Sequence, residues 1–102
     1  MDKLAKVCKV SELELDGKIA IAISDQSILV VNHGGRFYAL SNLCTHEKVE
    51  LVNGFIIEDA IVCPAHLSKF SLKTGEVLNA PATMPLKTYE TIVQDGEVNV
   101  KL

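Results

Sequence analysis

Apolar positions along this chain recur with a period of two, not the 3.6 of an amphipathic helix, and turn-forming residues interrupt them every few positions. Ala5 to Val10 predicts a strand with Val7 and Val10 turned inward. Ser11 to Leu15 reads as a connector able to form one helical turn, and Asp16-Gly17 is a turn signal. Strands are predicted over Lys18 to Ile23 and Ser27 to Asn32, separated by a turn at Asp25-Gln26. His33-Gly34-Gly35-Arg36 predicts a hairpin tip, because paired glycines supply the positive φ of tight hairpins, and Phe37 to Ser41 is the returning strand. Beyond a loop at about 42–49, Leu51 to Gly54 leads into short strands at Phe55 to Glu58, Ala60 to Val62, Lys69 to Leu72 and Val77 to Leu78. A proline-punctuated loop from Asn79 to Pro85 precedes one long strand, Leu86 to Gln94. Asp95-Gly96 then turns the chain into a final strand, Glu97 to Leu102.

These short strands, with no helix beyond a turn or two, predict an all-β antiparallel barrel or sandwich. A length of 102 residues suits a single domain spanning 1–102. The loop-dense stretch at about 42–84 reads as a small subdomain inserted into a basal β barrel built from about 1–41 and 85–102. Hydrophobic residues make up 48% of the chain and aromatics only 5%, so the predicted core is aliphatic. A net charge of −3 offers no electrostatic footprint for nucleic acid or an anionic membrane. The longest apolar runs, Ile19 to Ile23 and Ile28 to Val31, fall far short of the ~20 residues that span a bilayer. An N-terminus without a signal-like apolar run, and an odd count of three cysteines, point to a reducing cytoplasm and no disulfide framework.

The candidate chemistry is concentrated in Cys44-Thr45-His46 and Cys63-Pro64-Ala65-His66, which hold four of the chain's three cysteines and three histidines taken together. Cys8 reads as a semi-buried strand residue, and His33 as a solvated turn residue. Three readings compete for the four. Structural zinc accepts such donors, although its loops more often pair Cys with Cys and His with His. A metal-free Cys–His pair would find only Glu47 nearby as an orienting acid. A [2Fe–2S] centre with two thiolates on one iron and two imidazoles on the other suits loops that each offer one of each.

The pattern Cys44-x-His46…Cys63-Pro64-x-His66 resembles the cluster-binding motif of Rieske proteins. So does the downstream run Phe70-x-x-x-Thr74-Gly75-Glu76, followed by Pro81, Pro85-Leu86-Lys87-x-Tyr89 and Asp95-Gly96. Within that family the chain is most similar to the small ferredoxins of multicomponent ring-hydroxylating oxygenases. The resemblance implies one Rieske [2Fe-2S] cluster, with Cys44 and Cys63 on the buried iron and His46 and His66 on the outer one. It further implies that Gly54 and Pro64 shape the loops and that 79–82 covers the cluster. Relatives of high potential carry an additional Cys in each ligand loop, where this chain has Val49 and Ala65, so no bridge forms. They also hydrogen-bond the cluster sulfurs through a Ser and a Tyr, where this chain has Ser68 and Phe70. Ser68 is therefore a candidate tuning residue, Pro81 a covering one, and the expected potential lies toward the low end of the roughly −150 to +300 mV range of such centres.

The resemblance implies an electron carrier, not an enzyme. With only His33 outside the motif, the chain has no second site of two His and a carboxylate for oxygen chemistry. The implied partners are a flavoprotein ferredoxin reductase and a terminal oxygenase docking near His46 and His66, with the carrier a monomer. Alternatives are an accessory ferredoxin or small subunit of another reductase, such as nitrite reductase, and a zinc-stabilised interaction module.

Overall fold

Four successive residues, Ile28 to Val31, are wholly buried. They lie at the centre of β3 (Gln26–His33), in a computed structural model that describes residues 3–102. An unbroken apolar run of this kind belongs to a strand covered on both faces. Ile28 and Val30 enter a core with Leu13, Ala39, Val98 and Val100. Leu29 and Val31 point the other way, into a core with Leu40, Leu51, Ile61, Phe70 and Leu72. The second core also contains Cys44 and Cys63.

Three antiparallel sheets surround these cores. In the first, β1 (Leu4–Lys9) lies beside β11 (Glu97–Lys101), which pairs with β10 (Thr91–Gln94). The second has the order β2 (Lys18–Ile23), β3, β4 (Arg36–Ser41) and β9 (Thr88–Tyr89). The third is a meander of β5 (Phe55–Ile57), β6 (Ala60–Val62), β7 (Lys69–Ser71) and β8 (Val77–Asn79). Two-residue turns at Ser24-Asp25, Gly34-Gly35 and Asp95-Gly96 close three hairpins, and all six residues have positive φ. That geometry matches the right-handed twist of the strands. The all-β architecture and most strands thus follow the expectation from the sequence.

Two expectations fail locally. Val10 does not extend the first strand but opens a single 3-10 turn, Val10–Glu12, whose Glu12 carboxylate accepts the Lys9 N–H at 2.7 Å. The long strand expected over Leu86 to Gln94 is divided. Thr88 and Tyr89 pair with Leu40 and Ala39, whereas Thr91 to Gln94 pair with β11. The chain changes sheets at Glu90, and the Thr91 hydroxyl donates to the Phe37 carbonyl at 2.7 Å across the crossing. Alternating side chains look the same on a strand that continues and on one that changes partners.

Candidate metal centre

The first ligand loop leaves β4 through Asn42, which is completely buried and fully hydrogen-bonded. Its amide donates to Ser27 Oγ at 3.0 Å and Glu50 Oε1 at 3.2 Å, and its carbonyl oxygen accepts the Val52 N–H at 2.9 Å. A satisfied buried amide of this kind fixes a loop base, because any other arrangement strands polar groups away from water. Within the loop the Cys44 N–H donates to the Val49 carbonyl at 3.0 Å, and a bridge between Leu43 and Glu50 closes the neck.

The second loop joins β6 to β7. The Cys63 N–H donates to the Ser68 carbonyl at 2.8 Å, and the Leu67 N–H donates to the Cys63 carbonyl at 3.1 Å. Gly54 permits the close approach of this region to the short 3-10 turn Leu51–Asn53, since a Cβ there would collide with the Val62 carbonyl oxygen. The expectation that Gly54 shapes the loop has this physical basis.

A third segment, 79–84, ties the two loops together. Asn79 Nδ2 donates to the Leu67 carbonyl at 3.2 Å. The Ala82 N–H donates to Ser68 Oγ at 3.0 Å, and Ser68 is wholly buried. Thr45 Oγ1 donates to the Met84 carbonyl at 2.6 Å. Pro81 lies between these anchors, after a cis peptide bond. Nothing local in the sequence marks the hydrogen bonds of Asn42, Thr45 and Asn79, because their partners are 8 to 39 residues away.

The four candidate ligands arrive in two layers. Cys44 and Cys63 retain 3% and 2% of their surface and belong to the same core. Burial pushes the Cys63 thiol above its ordinary range, although the backbone N–H groups of Ala65 and His66 aim at its sulfur and oppose the rise. His46 and His66 stand at the surface, with side chains 37% and 53% exposed. Their rings meet edge to face, with centroids 5.5 Å apart. Glu47 Oε1 lies 3.4 Å from His66 Nδ1 and 3.9 Å from His46 Nε2. The donor atoms of His46, Glu47 and His66 fall within 4.8 Å of one another, and neither thiol belongs to that set.

This separation tests the candidate groups. A single zinc ion bonded at about 2.0–2.3 Å needs all four donors converging on one point. Two buried thiols and two exposed imidazoles, in separate donor groups, instead suit a group with two metal ions. The N–H groups aimed at Cys63 sulfur would stabilise a thiolate there. The donor set therefore fits a mixed-ligand [2Fe–2S] group.

His33 departs from its expected place as a solvated turn residue. Its side chain is 23% exposed, Nδ1 lies 3.0 Å from Asp16 Oδ1, and Nε2 lies 2.9 Å from Asp59 Oδ1. Cys8 is half-buried in β1, as expected for a packed strand residue.

Comparison with known proteins agrees with the site. Residues 3–90 match the family model of the Rieske [2Fe-2S] domain. The chain belongs to the Rieske family. A 3-phenylpropionate/cinnamic acid dioxygenase ferredoxin subunit from Photorhabdus laumondii is 37% identical over 95 residues, covering 92% of this chain and 90% of that one. The ferredoxin-like chain in a complex of reduced oxygenase and oxidized ferredoxin of carbazole 1,9a-dioxygenase superposes with a TM-score of 0.90 at 33% identity, covering 94% and 99% of the two chains. A nitrite reductase small subunit from Mycobacterium tuberculosis reaches a TM-score of 0.90 at 15% identity over 100% and 96%, a likeness of fold alone. Among the described residues no helix is long and apolar enough to cross a membrane.

Proposed function

We propose that this chain is a one-electron carrier, the Rieske ferredoxin component of an aromatic-ring-hydroxylating oxygenase system. In this reading Cys44 and Cys63 hold the inner iron of a [2Fe–2S] cluster, and His46 and His66 hold the outer one. Such a cluster supplies reversible one-electron chemistry. Neutral imidazoles in place of two thiolates lower its negative charge and ease reduction. The chain's own residues hold the group, shield its sulfur side from water and leave its imidazole side open.

The observation that carries this reading is the contrast between a buried thiol pair and an exposed imidazole pair. Water is kept from the thiol side while the imidazole edges remain open to a partner. A flavoprotein reductase and the terminal oxygenase would each dock over His46 and His66, one at a time. Leu67 and Met84 are 55% and 65% exposed beside those loops, which suits a transient contact of modest size. The complex of oxygenase with a 33%-identical ferredoxin supports the second partner. A cytoplasmic monomer fits a shuttle between two proteins. The small-subunit role in nitrite reductase has weaker support, since that likeness extends only to the fold.

The purified protein should be red-brown, contain two irons per chain, and give a Rieske-type electron paramagnetic resonance signal on reduction. Electron delivery from a flavoprotein reductase to the oxygenase should depend on its presence. A colourless protein with one zinc per chain overturns the reading.

A further inference from the structure

His33 is the one histidine that the metal centre does not use, and its two ring nitrogens reach into different parts of the molecule. Nδ1 meets Asp16, in the 14–17 turn that precedes β2, at 3.0 Å. Nε2 meets Asp59, in the turn between β5 and β6, at 2.9 Å. Its cross-strand neighbour is Arg36, and a cavity of about 290 Å³ beside it is lined by Tyr38, Asp59, Ser71, Leu72 and Lys73. His33 thus links the 14–17 turn to the tip of the sheet that carries the second ligand loop.

A neutral imidazole has one N–H, and two carboxylates need two. Both contacts are therefore hydrogen bonds only when the ring is an imidazolium. The two aspartates hold the ring's pKa above the ordinary 6.5, with the hydrogen bond to Asp16 the largest cause and burial opposing. On loss of a proton one carboxylate faces a ring lone pair. Asp59 is 92% exposed and Asp16 65%, so water replaces the imidazole more readily at Asp59.

We propose that His33 is a pH-dependent clasp: as an imidazolium it ties the 14–17 turn to the β5–β6 turn, and on deprotonation it keeps Asp16 and releases Asp59. The contact to the 14–17 turn then remains while the tip of the ligand-bearing sheet gains freedom.

The test is hydrogen–deuterium exchange by mass spectrometry on the cluster-loaded protein at about pH 5.5 and about pH 8.5, on either side of the histidine range. Rates are expressed relative to the intrinsic rate at each pH. In the wild type, exchange across the β5–β6 turn should rise about two- to fivefold at the higher pH, the span expected of an exposed ion pair, and the 14–17 turn should not change. In His33→Gln the rise should vanish. Asp59→Asn, at a position that buries almost nothing, should show the faster exchange already at low pH. Visible absorption reports that each variant is folded and loaded. Equal pH dependence in wild type and His33→Gln, or a rise confined to the 14–17 turn, overturns the proposal.

Discussion

Ser68 Oγ accepts the Ala82 N–H at 3.0 Å, and both residues are buried at the point where the third loop crosses the second ligand loop. That contact uses the hydroxyl as an acceptor, which leaves the O–H as a donor for a sulfur of the bound cluster, the tuning role expected of Ser68. Ser68→Ala therefore removes two things. The Ala82 N–H loses its partner in a dry setting, which should cost about 1–3 kcal/mol and lower the melting temperature. The missing O–H should also lower the midpoint potential by roughly 60 mV, the one-electron equivalent of a tenfold change. Redox titration followed by electron paramagnetic resonance measures the second effect, and an unchanged midpoint would leave Ser68 with only its structural role.

Thr45 stands between two of the proposed ligands, and its hydroxyl fastens the first loop to the Met84 carbonyl at 2.6 Å. Thr45→Val keeps the shape and removes the bond. About 1 kcal/mol of stability should be lost, and the cluster should bleach faster in the presence of a chelator. Bleaching at the wild-type rate would show that the strap between loops contributes nothing to retention.

Gly54 allows the backbone before β5 to lie against Val62, one residue before Cys63. Because the obstacle to a side chain is backbone, it cannot swing aside. Gly54→Ala should cost about 1–3 kcal/mol or more through overpacking. Thermal unfolding compared with Gly34→Ala separates the causes. A Cβ at Gly34 meets nothing within 4 Å, although its φ of +63° still opposes a side chain. The Gly54 variant should lose more stability and more cluster.

Glu47 sets a carboxylate beside both imidazoles. A nearby negative charge disfavours addition of an electron. Its effect in water-like surroundings is about 1 kcal/mol or less, so Glu47→Gln should raise the midpoint by roughly 40 mV or less. The shift should shrink in high salt. A lower midpoint in the variant would place the carboxylate's influence elsewhere.

The ligand assignment has its own control in Cys8, a free thiol of β1 packed against the other core. Cys8→Ser should leave the visible spectrum unchanged, while Cys44→Ser or Cys63→Ser should yield protein with little or no cluster. Iron content and absorption decide the matter.

Alternating residues and turn signals such as Gly34-Gly35 and Asp95-Gly96 were enough to read the all-β class and most strands, since both act over a few neighbouring residues. The two Cys–His loops were legible for the same reason, because donor types and spacing are written locally. By itself, then, the sequence determines the fold class, the four candidate ligands and the kind of group they suit. The tertiary structure alone decided which sheet each half of 86–94 joins, how the thiols come to be buried while the imidazoles stay at the surface, and what holds the loops in place. Asn42, Thr45, Ser68 and Asn79 act through partners brought together by folding, and His33 through two aspartates 17 and 26 residues distant. Hydrogen bonds of that range leave no periodic trace, because they depend on where the packed cores place each strand and not on the residues next in line.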